Sequence, residues 1–211
     1  MTEFVIVRHA QSTGNAGGVF VGQGDAHLSP LGTKQAEATG EYLKDEHIDA
    51  FYSSDLSRAY DTARIIAGRH GAVPVADVKL REINAGLWQG RDFEYLKNTF
   101  KNYTVWLNDI GNAVCDGGES VSDLQRRING RLCELAECHD GEKLCIVTHA
   151  TPIRTMCCIW NGTGLDGAKN IPWVTNCSVT RVSLSDGVWT VKTVGYDGHL
   201  KGLSSGFPPN V

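Results

Sequence analysis

The sequence has no apolar run longer than five residues, Met156 to Trp160. A bilayer-spanning helix needs about 20, so a transmembrane helix is excluded. It has no surplus of positive charge: 20 Lys and Arg stand against 24 Asp and Glu, a formal net charge of −4. Without a basic footprint, neither nucleic acid nor an anionic membrane is expected as a partner, and any bound anion must be held by a few placed cations. It has no C-x-x-C pair, and its seven cysteines are odd in number. That usage suits reduced, buried thiols rather than a disulfide framework or a structural zinc site. The first ten residues lack the basic start and apolar stretch of a secretory signal, so a cytoplasmic location is expected. In that compartment the glycosylation sequons at Asn102, Asn161 and Asn176 are chance matches. Glycines 14, 17, 18, 22 and 24 fit neither the dinucleotide fingerprint nor the P-loop spacing, so a nucleotide cradle is not expected.

What is present is the balance of a globular chain, 41% hydrophobic and 21% charged over 211 residues. This length predicts one domain, residues 1–211, carrying a lid. Phe4 to Val7 is a short apolar run with no polar alternation, as in a central strand covered on both faces. Ala10 to Gly24 reads as a long loop. Ser29 and Pro30 open a helix to about Lys44, and Ile48 to Tyr52 is a second strand. Ser54 or Asp55 can cap a helix whose face is Leu56, Ala59, Ala63, Ile66 and Ala67. A weaker extended segment, Val73 to Leu80, runs into a loop with Gly86 and Gly90. Residues 91–118, rich in aromatic and polar side chains, read as an irregular helical lid. Ser120 then opens a helix with Val121, Leu124, Ile128, Leu132 and Leu135 on one face. Leu144 to Thr148 is a buried strand, and Thr151 with Pro152 opens a helix to about Asn161. Ser185, Asp186 and Gly187 join two alternating runs into a hairpin, and the tail from Asp197, with Pro208 and Pro209, reads as irregular. Strands alternating with helices predict a three-layer α/β/α fold with a mostly parallel sheet and an antiparallel edge.

In such a sheet the ligand site lies beyond the carboxyl ends of the strands. Arg8 and His9 end one strand and His149 ends another, so all three reach the same rim. Phosphoryl transfer needs cationic donors around the nonbridging oxygens, a nucleophile in line, and an acid for the leaving oxygen. Arg8 and Arg58 suit bidentate contact with phosphate, and the helix beginning near Ser54 could add amide donors. Two neighbouring guanidinium groups would lower the pKa of His9 and keep its imidazole neutral and nucleophilic. His27, His47, His70, His139 and His199 show no partner spacing and read as surface residues. Adjacent Cys157 and Cys158 on an apolar helix read as packing residues.

The run Arg8 to Asn15, RHAQSTGN, resembles the RHGES or RHGET signature of the histidine phosphatase superfamily, phosphoglycerate mutase branch. The likeness continues in order through SDLSRAYDTA from Ser54, LREINAGLWQG from Leu80, GGES from Gly117 and THATPIR from Thr148. It implies that His9 is the nucleophile that becomes phosphohistidine. It implies too that Arg8, Arg58 and His149 hold the phosphoryl oxygens, and that Glu82 is the proton donor. Asn15, Gln11 and Ser12 complete the implied substrate contacts. The departures are Gln11 for Glu, Ala10 and Ala150 for Gly, and Thr148 for Ser, none of which removes a charged group the chemistry uses.

The resemblance implies a phosphomonoester hydrolase acting on small phosphorylated metabolites, with no metal and no cofactor. Mutases of the family follow the catalytic Glu with Arg-His-Tyr-Gly, whereas Ile83, Asn84 and Ala85 stand here. Hydrolysis is therefore favoured over cofactor-dependent phosphoglycerate mutase activity. A non-catalytic phospho-ligand domain is a lesser alternative. A metallohydrolase with His9, Glu82 and His149 as ligands is opposed by the two adjacent guanidinium groups. Lid residues such as Tyr95, Lys97, Lys101, Tyr103, Trp106 and Asn108 could choose the leaving group, or simply pack. The sequence does not reveal the substrate or the oligomeric state.

Overall fold

The computed structural model describes residues 1–205; Pro208 and Pro209 lie outside the described residues. Six strands form one sheet: β1 (Thr2–Arg8), β2 (Ala50–Ser53), β3 (Val75–Ala76), β4 (Lys143–Thr148), β5 (Val179–Ser185) and β6 (Val188–Tyr196). Their order is β3-β2-β4-β1-β5-β6. The first four are parallel, and β5 and β6 add an antiparallel edge pair. Both halves of the expected topology are thus present.

The apolar runs of β1 and β4 lack polar alternation because each face of the sheet is covered. Phe4, Ile6, Leu144 and Ile146 point into one core with α6 (Val121–Cys138) and α7 (Ala150–Trp160). Val5, Val7, Cys145 and Val147 point into the other, with α2 (Pro30–Leu43) and α3 (Ser57–Gly68). Cys157 and Cys158 are buried in the first core, and all seven thiols are unpaired. The hairpin turn falls on Asp186 and Gly187, both with positive φ, the pairing that matches the twist of the strands it joins.

Three expectations about local structure need correction. The loop after β1 contains a helical turn, α1 (Thr13–Ala16), closed by a capping box between Ser12 and Asn15. Helix α3 begins at Ser57 with no side-chain cap, because Asp55 is committed to Arg81 at 2.7 Å and the Ser54 hydroxyl meets His149 at 2.8 Å. The stretch Val73 to Leu80 yields only the two-residue β3 and a 3-10 turn at Val78–Leu80.

Residues 91–118 carry α4 (Phe93–Thr99), α5 (Lys101–Asn108) and a 3-10 turn at Ile110–Asn112. Leu96, Tyr103 and Trp106 of this segment are buried. Phe20, Trp88, Tyr103 and Trp106 meet edge to face at centroid separations of 5.1 to 6.3 Å, a geometry that aromatic quadrupoles favour. The histidines read as surface residues divide: His70, His139 and His199 are half-buried. His199 stacks on Tyr42 at 4.6 Å and bonds Thr39. No helix among the described residues is long and apolar enough to cross a membrane.

Candidate active site

Strands β1 and β4 run side by side with Arg8 opposite Thr148, so the residues that follow them leave the sheet at one rim. The His9 amide donates to the Thr148 carbonyl at 2.8 Å, and the Cys177 amide donates to the Arg8 carbonyl at 3.0 Å. The Asn176 carboxamide donates to the His9 carbonyl at 2.9 Å. The nucleophile candidate is therefore held by the end of β4 on one side and by Asn176 and Cys177, which lead into β5, on the other.

The imidazole of His9 is oriented by its own chain. Nδ1 lies 2.7 Å from the Ala10 carbonyl oxygen. A carbonyl only accepts, so Nδ1 carries the proton and Nε2 keeps the lone pair. Burial, then Arg58, then Arg8, holds the pKa of His9 well below the ordinary value, and the Ala10 bond opposes this only in part. His9 is thus neutral at pH 7, with Nε2 as the basic atom.

Arg8 and Arg58 are both buried. Burial, opposed by Glu82, brings Arg8 to about 9 and Arg58 to about 10; both remain cationic at neutral pH. Arg8 donates Nη1 to the Val174 carbonyl at 2.7 Å. Arg58 donates Nη1 to Gly24 at 2.9 Å and Nη2 to Gly22 at 2.7 Å. Gly22 has a φ of +55°, and a Cβ there would sit 2.4 Å from the Ala85 methyl. Glycine is what lets this carbonyl turn toward Arg58 while the wall closes on Ala85.

Glu82 stands on the loop after the Val78–Leu80 turn. Burial raises its pKa, against the lowering by the Ile83 amide at 2.9 Å, by Arg58, and by the Thr151 amide at 3.4 Å. Its backbone is held at several points. Thr148 Oγ1 donates to the Leu80 carbonyl at 2.8 Å, so the hydroxyl common to Ser and Thr explains that substitution. Gln23 donates to the Glu82 carbonyl at 3.0 Å. Arg127 donates to the carbonyls of Lys79, Arg81 and Glu82 at 2.9, 3.0 and 3.2 Å, and is itself clamped by Glu119 at 2.9 and 3.0 Å.

Arg8, His9, Gln11, Asn15, Arg58 and Glu82 line one cavity of about 740 Å³, open to solvent. Ser12, His149 and the lid residues Tyr95, Lys97, Lys101, Tyr103 and Asn108, all singled out from the sequence, stand apart from its lining. Ser12 is wholly buried, its hydroxyl accepting the Asn15 amide as the cap of α1. His149 is wholly buried behind His9, with ring centroids 5.0 Å apart. Its Nε2 meets Ser54, and its Nδ1 has no hydrogen-bond partner among the described residues. Burial, then Arg58, keeps this ring neutral too.

The helix end at the cavity also differs from expectation. Ala150 and Thr151, the first residues of α7, line it, whereas α3 contributes only Arg58. Asn176, Trp173 and the Val19 to Gly22 strand of loop complete the wall, together with Phe93 and Trp106 from residues 91–118. None of these except Trp106 carries a signal in the sequence: Asn176 sits in a segment without periodicity, and Arg127 lies on the polar side of an amphipathic helix. No group of three His, Cys, Asp or Glu among the described residues is placed to hold one metal ion.

A phosphate-sized anion would meet two guanidinium groups, a helix amino terminus and a neutral imidazole here, with a carboxyl of raised pKa opposite. This is the arrangement of a phosphoryl-transfer site. The chain belongs to the histidine phosphatase superfamily: the family profile for its branch 1 matches residues 4–197. The chain is 32% identical over 166 residues to phosphoserine phosphatase 1 of Hydrogenobacter thermophilus, covering 78% of this chain and 79% of that one. It is 33% identical over 209 residues to the metal-independent phosphoserine phosphatase of Arabidopsis thaliana, covering 96% and 85%. The mycobacterial glucosyl-3-phosphoglycerate phosphatase, solved with VO3, superposes with a TM-score of 0.86 at 28% identity, covering 92% of this chain and 99% of that one.

Replacing Arg127 by Met removes the donor that holds three carbonyls of the Glu82 loop. Unfolding in urea is expected to show a loss of about 1.5–3 kcal/mol, with faster amide exchange at Ile83. Unchanged exchange there would mean that the clamp does not fix the loop.

Proposed function

We propose that this protein is a phosphomonoester hydrolase that works through a covalent phosphohistidine at His9. The observation that carries this reading is the bond from His9 Nδ1 to the Ala10 carbonyl, which leaves the Nε2 lone pair facing a cavity lined by Arg8 and Arg58. In the first step Nε2 attacks phosphorus, the bond from phosphorus to the ester oxygen breaks, and Glu82 gives its proton to that oxygen. In the second step water attacks the phosphohistidine, Glu82 as carboxylate takes the water's proton, and the N–P bond breaks to release phosphate. Arg8 and Arg58 spread the charge on the nonbridging oxygens. His149 Nδ1, without a hydrogen-bond partner among the described residues, is assigned to a phosphoryl oxygen, and Asn15 and Gln11 to the cavity-side contacts. Ser12 acts by holding Asn15 in place.

Hydrolysis rather than isomerisation is supported by the residues after Glu82. Ile83 and Ala85 are wholly buried, and neither they nor the exposed Asn84 lines the cavity. No side chain from 83 to 85 is available to hold a substrate carboxylate. The proposed substrates are small phosphorylated metabolites whose leaving group lies against Phe93 and Trp106, with residues 91–118 as a fixed wall of a single domain. Seven unpaired thiols support a cytoplasmic location.

The purified protein is expected to release phosphate from an aryl phosphate, without added bisphosphoglycerate, and to form an acid-labile phosphoenzyme in rapid-quench experiments. His9→Ala is expected to lose at least about 1,000-fold in turnover and all trapped phosphate. Equal phosphate release by the variant would contradict the mechanism.

The pH dependence of kcat/KM follows from the signs of two shifts. His9 must be neutral, and its lowered pKa keeps it so into the acid range. Glu82 must be protonated for the first step, and its raised pKa extends that range upward. The profile is therefore a bell bounded by His9 on the acid side and Glu82 on the alkaline side. Arg58 lowers both pKa values, so in Arg58→Met both limbs of the residual activity should move to higher pH. Limbs that stay in place would show that other groups set the profile.

A further inference from the structure

Most arginines in this protein are neutralised where they stand. Among the described residues, six of the eleven arginines have a carboxylate within 4.0 Å. Arg154, on α7, is half-buried and has none among the described residues. Its Nε donates to the Ala168 carbonyl at 3.1 Å, and its guanidinium carbon lies 4.1 Å from the centre of the Trp173 ring. Burial lowers its pKa, opposed by Cys158. The outer nitrogens, Nη1 and Nη2, donate no hydrogen bond to any described residue. A guanidinium withdrawn from water without a counter-charge is an unfavourable arrangement unless something else supplies the charge.

Arg154 lines a second cavity together with Trp106, Trp173, Lys169, Ile171 and Pro172. No acid lines it. Trp106 and Trp173 are walls of this cavity and of the phosphoryl cavity alike, with their rings 6.3 Å apart and 28° from parallel. The indole Nε1 of Trp106 is buried without a hydrogen-bond partner among the described residues, a further donor in the shared wall. The two cavities thus share an aromatic wall, with cationic side chains lining each of them.

We propose that this second cavity is a subsite for an anionic end of the leaving group, which Arg154 grips with Nη1 and Nη2 while Lys169 adds a second positive charge. The planar fork of an arginine fits a carboxylate best, and the two indoles suit a flat spacer between the two anionic ends. The substrate class is then a phosphomonoester whose leaving group is flat or apolar near phosphorus and carries a carboxylate at its far end. This rests on the assignment of the first cavity to the phosphoryl group.

The test compares phenyl phosphate and biphenyl-4-yl phosphate with their 4-carboxyphenyl and 4′-carboxybiphenyl-4-yl counterparts. At least one carboxylated ester is expected to exceed its neutral counterpart in kcat/KM by about tenfold or more, chiefly through KM. Arg154→Met should remove that advantage while turnover of the neutral esters, which do not extend to the guanidinium, is unchanged. Arg154→Lys should keep part of it. Lys169→Met, at an exposed position, should weaken it several-fold and serves should Arg154→Met fail to fold. Equal handling of charged and neutral esters by the unaltered protein, or an advantage that survives both Met variants, would overturn the subsite. Absence of hydrolysis with all four esters would instead strike at the phosphatase reading and take the subsite with it.

Discussion

A neutral imidazole held beside two cations is the constraint on which the site depends. Burial penalises the protonated form of His9, and the neighbouring Arg58 and Arg8 add to that penalty. The bond to the Ala10 carbonyl then decides which nitrogen holds the single remaining proton. Burial and charge thus set the protonation state and one hydrogen bond sets the tautomer, and together they present a nucleophilic nitrogen to the place where an anion would be bound. The same positive field that would gather a phosphate keeps its attacker unprotonated.

The frame exists to hold this contradiction in place. Two parallel strands buried on both faces bring residues 8–9 and 149 to one rim, and the antiparallel β5 leads in through Asn176 to Ser178, which grip the backbone on the other side. Arg58 arrives on α3, which is strapped to the rim through Thr62: its hydroxyl receives the Ala10 amide at 3.0 Å and donates to the Arg58 carbonyl at 2.7 Å. Glu82 has no strand or helix of its own, so its loop is pinned from outside by Thr148, Gln23 and Arg127. The acid is therefore placed by contacts that span much of the chain.

These features differ in how far the sequence discloses them. The strand ends, the two-faced apolar runs and the hairpin at Asp186 follow from local pattern, and so did the meeting of Arg8, His9 and His149 at one rim. Glu82 was legible only through its motif, because an isolated loop acid has no periodicity. Asn176 and Trp173 were not legible, since each reaches the cavity by long-range packing that leaves no local trace, whereas Thr151 lies in the THATPIR run at the expected helix start. Ser12 and Ser54 serve other ends: Ser12, a substrate contact implied by the resemblance, caps a short helix, and Ser54, a cap candidate for α3, supports His149. The helix amino terminus at the cavity belongs to α7 rather than α3 for a related reason, that Asp55 and Ser54 are engaged elsewhere and α3 begins late.

The account reduces to the state of one ring, and nitrogen NMR of specifically labelled histidine reads it directly. At pH 7, His9 is expected to show a protonated Nδ1 and an unprotonated Nε2, and to keep that pattern on acidification well below the ordinary histidine range. A doubly protonated ring at neutral pH, or a proton on Nε2 instead of Nδ1, would contradict it.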